Sequence, residues 1–403
     1  MGRFIEIRDW RLTQIIRFMH NGTKNSCSVQ GGDLSKIPYN KPISICQTDF
    51  PMGLYAKPQI TNQRAQFQHN SMKVSIIIPF QQENEYLVET LKHIDALNYE
   101  SVEIILLPDK EIPEAYQETE LRSRHSVICI PTGTVSPAIK RDIGVEQCTG
   151  EYLAFIDDDA YPDSNWLAEA IPHLRDDKTC AVGGPQVTPP EDSFWQKVSG
   201  AMFLSILNGK AADRYWPASH SYFVDDWPSV NLIVKKDDFL QLGGFDSSYW
   251  PGEDTKLCYD ITQTLGKNIL YIPTAIVYHH RRSGIVKHLK QVGNYGKHRG
   301  FFAKRFPETS LRFSYFIPSL FFLFVLLGWL LPVFPGGRWV YTGLWALYLT
   351  ALLFSVISIF FKQKNIFIAI ATVPYTVGTH FWYGFSFIKG FLLTKDLKSR
   401  LGR

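Results

Sequence analysis

Between residues 73 and 160 the apolar positions fall into a repeating order of short continuous runs and helix-spaced faces. Lys73 to Ile78 is apolar enough to be buried on both sides, the pattern of a parallel-sheet strand. Leu87, Val88, Leu91, Ile94 and Leu97 then recur on one helical face. Val102 to Leu107 and Val127 to Ile130 predict a second and a third strand. Ser136 followed by Pro137 is an N-cap with proline at the first helical position. The spacing gives that helix Ile139 and Ile143 as its inner face and Gly150 as its stop. Tyr152 to Ile156 predicts a fourth strand. The alternation implies an α/β protein with a doubly wound, mostly parallel sheet, whose ligands bind at the carboxyl ends of the strands.

The pattern changes near residue 313. Phe313 to Phe334 and Trp339 to Phe361 are almost wholly apolar, each reaching the roughly 20 residues that cross a hydrocarbon core of about 30 Å. A third stretch, Ile366 to Phe391, is interrupted by Pro374, Gly378, His380, Gly384 and Lys389. Lys304, Arg305 and Arg312 precede the first run, Arg338 lies between the two, and Lys362 and Lys364 follow. The positive-inside tendency then places the soluble part and the C-terminus in the cytoplasm, with two spans at about 313–334 and 339–361. The stretch 366–391 is expected to be interfacial or re-entrant, because a third crossing would export Lys395, Lys398, Arg400 and Arg403.

The start of the chain reads differently. Arg3, Arg8, Arg11 and Arg17 accompany Trp10, Leu12, Ile15, Ile16 and Met19, suggesting a short basic amphipathic helix without the continuous apolar core of a cleavable signal. Beyond it, 21–70 is polar and aperiodic, and Met72 stands directly before the first strand. The expected organisation is therefore an N-terminal extension over 1–71 that is dispensable, a catalytic domain over 72–300, and a juxtamembrane and membrane region over 301–403. A net charge of +4 over 403 residues, without a Lys/Arg block in the soluble part, argues against nucleic acid as a partner. The six cysteines are scattered without metal-type spacing, as buried thiols in a reducing compartment are.

Chemistry concentrates at the end of the fourth strand. Asp157, Asp158 and Asp159 are adjacent, and like charges packed at the lip of a sheet call for a cation. Lys140-Arg141-Asp142-Ile143-Gly144 through Gly150-Glu151-Tyr152-Leu153-Ala154-Phe155-Ile156-Asp157-Asp158-Asp159 resembles the nucleotide-sugar core of family-2 glycosyltransferases, which have the GT-A fold. Val74 to Pro79 matches their first strand, and Glu83 the acidic position after it. Gly183-Gly184-Pro185, Leu242-Gly243-Gly244-Phe245-Asp246 and Pro251-Gly252-Glu253-Asp254 match later landmarks, so the likeness covers roughly 73–300.

The resemblance implies a nucleoside-diphosphate sugar as donor and a divalent cation, Mg²⁺ or Mn²⁺, as cofactor. Asp159 and Asp157 would ligate the ion, with His280 from His279-His280-Arg281-Arg282 completing its shell. Pro79, Glu83, Asp109, Arg141, Asp157 and Arg281 would bind substrate, Glu83 and Asp109 around the nucleoside and the arginines at phosphate. The family usually carries two acidic residues where this chain has Pro108-Asp109. Asp254 would be the base of an inverting transfer, with Glu253 orienting it or the acceptor. A basic, glycine-punctuated segment from Lys290 to Arg305 would close over the pyrophosphate or meet anionic lipid heads.

A catalytic core beside a membrane anchor implies a membrane-associated acceptor, a polyprenyl-linked or surface glycan, and a location at the cytoplasmic membrane. The Gln-x-x-Arg-Trp motif of processive synthases does not occur, and two spans are too few for a secretion channel, so a single addition is expected. Three alternatives remain: a polyprenyl-phosphate sugar synthase, a nucleotidyltransferase, and an inactive membrane scaffold. The nucleotidyltransferase lacks its glycine-rich loop, since Pro79-Phe80-Gln81-Gln82 follows the first strand. The inactive scaffold would have no reason to keep Asp157, Asp159 and Asp254 together.

Overall fold

The computed structural model describes residues 72–397; the expected amphipathic helix and dispensable extension lie outside them. Strands β1 (Val74–Pro79), β2 (Val102–Leu107), β3 (Ser126–Cys129) and β4 (Tyr152–Phe155) form the parallel half of an eight-stranded sheet ordered β3-β2-β1-β4-β9-β6-β10-β8. β6 (Thr179–Gly183) and β10 (Asn268–Tyr271) pair parallel in the other half, while β9 (Leu232–Lys235) runs against both β4 and β6 and β8 (Tyr222–Val224) runs against β10. A smaller sheet, β5-β11-β7, joins Ala160–Pro162, Val277–His279 and Gln186–Val187. This is the GT-A-like α/β architecture, a mostly parallel central sheet with apolar helices at the C-terminus.

The core lies on both faces of that sheet, as continuous apolar strands require. On one face Ile76, Ile78, Ile104 and Leu106 pack with Leu87, Leu91 and Ile94 of α1 (Glu85–Asp95) and with Trp166. On the other, Ile77, Ile105, Leu107, Leu153 and Phe155 pack with Ala138 and Val145 of α2 (Pro137–Gln147) and with Leu257 and Ile261.

Two local expectations for α2 are corrected. Ser136 does cap it, its hydroxyl accepting from the Ile139 N–H at 3.4 Å. Its inner face, however, is Ala138, Lys140, Arg141, Gly144 and Val145, and Ile139 is exposed. The buried basic pair reaches acidic partners inside the protein, and those outweigh the burial of one isoleucine. Gly150 does not stop the helix, which ends at Gln147. Instead it lets the chain run against β1, where a Cβ would lie 2.7 Å from the Ser75 nitrogen.

Among the described residues two helices are long and apolar enough to cross a membrane, Phe313–Val333 and Gly337–Gln363. The third stretch is also helical over Ile366–Ile388, but it is docked on the catalytic unit. Ile368, Ala369 and Tyr375 pack with Val198 and Met202 of α3 (Phe194–Phe203). Helix α5 (Ile285–Arg305) follows α4 (Glu253–Tyr259) and lies along the same element, here α8 after α6 (Phe313–Leu327) and α7 (Gly337–Gln363). Gly293, Gly296 and Gly300 make the approach possible: a Cβ on Gly296 would stand 2.6 Å from the Tyr383 carbonyl. On its other side α8 meets α6, Ser319 donating to the Gly384 carbonyl at 3.1 Å.

Candidate active site

The turn between β4 and β5 sorts the three aspartates. Asp158 turns toward α1 and accepts from Asn84 at 2.7 Å, while burial and the neighbouring charges of Asp159 and Asp157 push its pKa up to about 7. Asp157 and Asp159 face the opposite way. Burial alone would raise Asp159, but His279, helped by Arg282 and Arg281, holds it down at about 2.

His279 and His280 divide by strand parity. β11 pairs with β5 so that His279 stands opposite Ala160, and His279 Nε2 comes 3.1 Å from Asp159 Oδ1. Its Nδ1 stands 2.8 Å from Gln186 Oε1 and 3.3 Å from Arg281 Nη1, which fixes the ring with Nε2 toward the aspartates. Asp157, Asp159 and His279 each offer a ligand atom, all within 4.8 Å of one another, and two carboxylates with one imidazole suit Mg²⁺ or Mn²⁺. His280, expected as the ligand, points to the other side. It is buried between Asp192 (2.5 Å) and Glu89 (3.0 Å), with Tyr86 at 4.3 Å between ring centroids. Its own N–H donates to the Asp159 carbonyl at 3.0 Å, so it fixes the strand end that carries His279.

Lys140, Arg141 and Asp142 act in three directions from one turn of α2. Arg141, only 3% exposed, spans the two acidic motifs: Nη2 meets Asp157 at 2.7 Å and Nη1 meets Glu253 at 3.1 Å. Lys140 gathers Asp109 (2.5 Å) and the carbonyls of Phe80 (2.5 Å) and Leu107 (3.1 Å), tying together the carboxyl ends of β1 and β2 just beyond Pro79. Asp142 accepts from the Phe245 N–H at 2.9 Å, which sets the Gly243-Gly244 turn beneath Arg141; the guanidinium stands 5.6 Å from the Phe245 ring. Glu83 is half-buried on the loop after β1, and its charge helps raise Tyr116 and Cys129, so it lies toward the β2–β3 side with Asp109.

Glu253 and Asp254 open α4 behind Gly252. Burial raises both above the usual carboxylate range, reinforced for Glu253 by the charge of Asp254 and for Asp254 by that of Asp226. Asp254 accepts only from the adjacent Thr255 N–H, at 2.7 Å, among the described contacts. Arg281, expected at phosphate, is buried, bonding the Gln186 carbonyl and reaching Thr188 (3.2 Å), with its guanidinium 4.9 Å from the Tyr215 ring. Arg282 is the arginine at the rim: it is 56% exposed and lies 3.7 Å from Asp159.

The structure therefore gathers Asp157, Asp159, Arg141, Glu253 and Asp254 into one locus, puts Glu83, Asp109 and Pro79 by the carboxyl ends of β1 and β2, and sets His280 and Arg281 behind it. Sequence reading singled out the His279–Arg282 run but favoured His280 as ligand, and reached Arg299 only as part of a basic segment. It gave no role to Lys140, which sits beside a residue it chose, or to Asp226, which carries no motif.

A mixed sheet with metal-competent acids at the end of β4 and an acidic pair opposite fits the GT-A-like fold. Residues 75–229 match the model of glycosyl transferase family 2. That match supports a family-2 glycosyltransferase, as do relatives named as glycosyltransferases. The chain is 27% identical over 174 residues to the pre-mycofactocin glycosyltransferase of Mycobacterium tuberculosis, covering 43% of this chain and 36% of that protein. The chain thus spans about a third of that relative's length. It is 22% identical over 334 residues, 79% of this chain and 98% of the relative, to the dolichyl N-acetyl-alpha-D-glucosaminyl phosphate 3-beta-D-2,3-diacetamido-2,3-dideoxy-beta-D-glucuronosyltransferase of Methanococcus voltae. Among solved structures, the mannosyltransferase of Pyrobaculum calidifontis in complex with GDP-Man and Mn2+ aligns at a TM-score of 0.49 and 18% identity, covering 81% of this chain and 89% of that one.

Proposed function

We propose that this protein moves one sugar from a nucleoside-diphosphate sugar to a hydroxyl of a membrane-borne, lipid-linked glycan, with inversion at the anomeric carbon. Asp157, Asp159 and His279 would hold a divalent cation. When bound, that ion neutralises the charge that develops on the departing diphosphate. Lys140 and Asp109, with Glu83, brace the nucleoside side. Asp254 takes the proton from the acceptor hydroxyl as its oxygen bonds to the anomeric carbon and the bond to the diphosphate oxygen breaks. Arg282 stands where the leaving diphosphate gathers charge.

The observation that carries this reading is the Arg141 bridge. A single buried guanidinium ties Asp157 of the donor motif to Glu253, the neighbour of the base. Base and donor site are thereby held at a fixed separation, which is the pre-organisation that transfer requires. The relative named for a dolichyl-phosphate sugar acceptor supports a lipid-linked substrate. The two apolar helices would anchor the unit in the cytoplasmic membrane, with α8 lying at its surface under α3 and α5.

Asp254→Asn separates the roles. It should abolish transfer, by 10²-fold or more, while nucleoside diphosphate with Mn²⁺ still raises the melting temperature as in the parent enzyme. Substantial residual turnover refutes the base. A polyprenyl-phosphate acceptor, whose oxygen needs little deprotonation, would leave most of the activity in place.

A further inference from the structure

Among the described residues three buried side-chain polar atoms lack a hydrogen-bond partner, and two belong to arginines on either side of the Glu253–Asp254 pair: Arg141 Nε and Arg299 Nη1. Arg141 belongs to the donor side described above. Arg299 does not. It comes from α5, and its guanidinium packs 4.9 Å from the Tyr315 ring at the start of the first apolar helix.

The surroundings of Arg299 do not use all of its donors. Its Nη2 meets Asp226 Oδ2 at 2.6 Å, but Arg214 Nη2 meets the same oxygen at 2.7 Å. The other oxygen, Asp226 Oδ1, accepts from the Thr255 hydroxyl at 2.8 Å. One carboxylate thus serves two guanidinium groups and leaves Arg299 Nη1 without an acceptor. Asp254 lies within electrostatic range of both Asp226 and Arg299. A largely buried cation with a free donor is costly unless an anion completes it. Neither arginine is sealed, since 15% of the Arg299 side chain and 22% of the Arg214 side chain remain accessible. The free donor therefore belongs to an arginine beside the proposed base, at the seam between the catalytic unit and the apolar helices.

We propose that Arg299, assisted by Arg214, is an acceptor subsite for a phosphate ester, so that the lipid-linked acceptor is held by its phosphate while Asp254 addresses its sugar. This rests on the reading that the acceptor is membrane-borne. It adds which chemical group is recognised and by which residues. Arginine suits the task, because its planar donors take a phosphate in bidentate fashion.

The test uses the full chain in detergent without metal. Farnesyl phosphate, farnesol and inorganic phosphate are the probes, and binding is read by thermal shift and titration. Farnesyl phosphate should bind at least tenfold tighter than farnesol, and Arg299→Gln should erase that difference. Arg214 still pairs with Asp226 in this variant, so the carboxylate is not orphaned; retained stabilisation by nucleoside diphosphate with Mn²⁺ checks the fold. If Arg299→Gln fails that check, Arg299→Lys replaces it and should weaken farnesyl phosphate binding without affecting farnesol. Competition by millimolar inorganic phosphate points to the phosphate group alone, and its absence to the ester with its lipid; either result supports the subsite. Equal binding of farnesyl phosphate and farnesol by the parent protein overturns it, as does discrimination that survives in the folded variant. Failure of the broader reading looks different: no nucleotide sugar would release its diphosphate with Mn²⁺, whatever the lipid probes do.

Discussion

Adjacent residues at this site do different work because strand geometry sends them to opposite faces. The His279-His280 doublet was legible as a site but not in its parity, since a sequence does not reveal which of two neighbours faces the aspartates. The contrast is testable. His279→Ala should raise the Mn²⁺ concentration for half-maximal activity by about tenfold or more, with little change in melting temperature. His280→Ala leaves Asp192 and Glu89 facing one another without their shared partner, and should cost about 3 kcal/mol of stability, read from denaturant midpoints. A larger metal defect in the His280 variant would restore it as the ligand. Arg141 and the Asp157–Asp159 turn were readable because their motif is local; Arg299 was not, because its significance depends on a carboxylate 73 positions away.

At the level of elements, the apolar runs located β1, β2 and α1 closely, since strands buried on both faces leave an unbroken signature. They failed for the inner face of α2, where polar chemistry replaces apolar spacing. Glu103 is a similar case: a buried acid in β2 that accepts from Ser75 (2.6 Å), Thr149 (2.7 Å) and the Gly150 N–H (3.0 Å), with Lys73 at 2.7 Å. Burial alone would raise its pKa, but these partners hold it down at about 2. A depressed folded-state pKa stabilises the fold above the ordinary carboxylate range and loses that contribution as pH falls toward 2. Urea midpoints should accordingly drop between pH 5 and pH 3, and Glu103→Gln should flatten this drop while costing about 2 kcal/mol at pH 7. An unchanged pH slope in the variant would assign the acid sensitivity elsewhere.

For the molecule as a whole, hydropathy located the two long apolar helices, yet not the docking of α8. Its buried threonines and glycines weaken the apolar signal because they face protein, and only the packed structure supplies that partner. If α8 lies at the membrane surface, the C-terminus shares a side with the catalytic unit. A cysteine at Ser399 should then react with an impermeant reagent in inverted vesicles and stay protected in intact cells; labelling only in intact cells would require a third crossing. The glycine-lined contact between α5 and α8 carries the remaining consequence. Backbones pressed that closely cannot slide, so on the proposed reading the cleft would ride at a set height over the lipid surface. Such an enzyme would work as a gauge: it would serve a hydroxyl that the lipid presents at that height, and once a sugar is added the new end would stand beyond its reach.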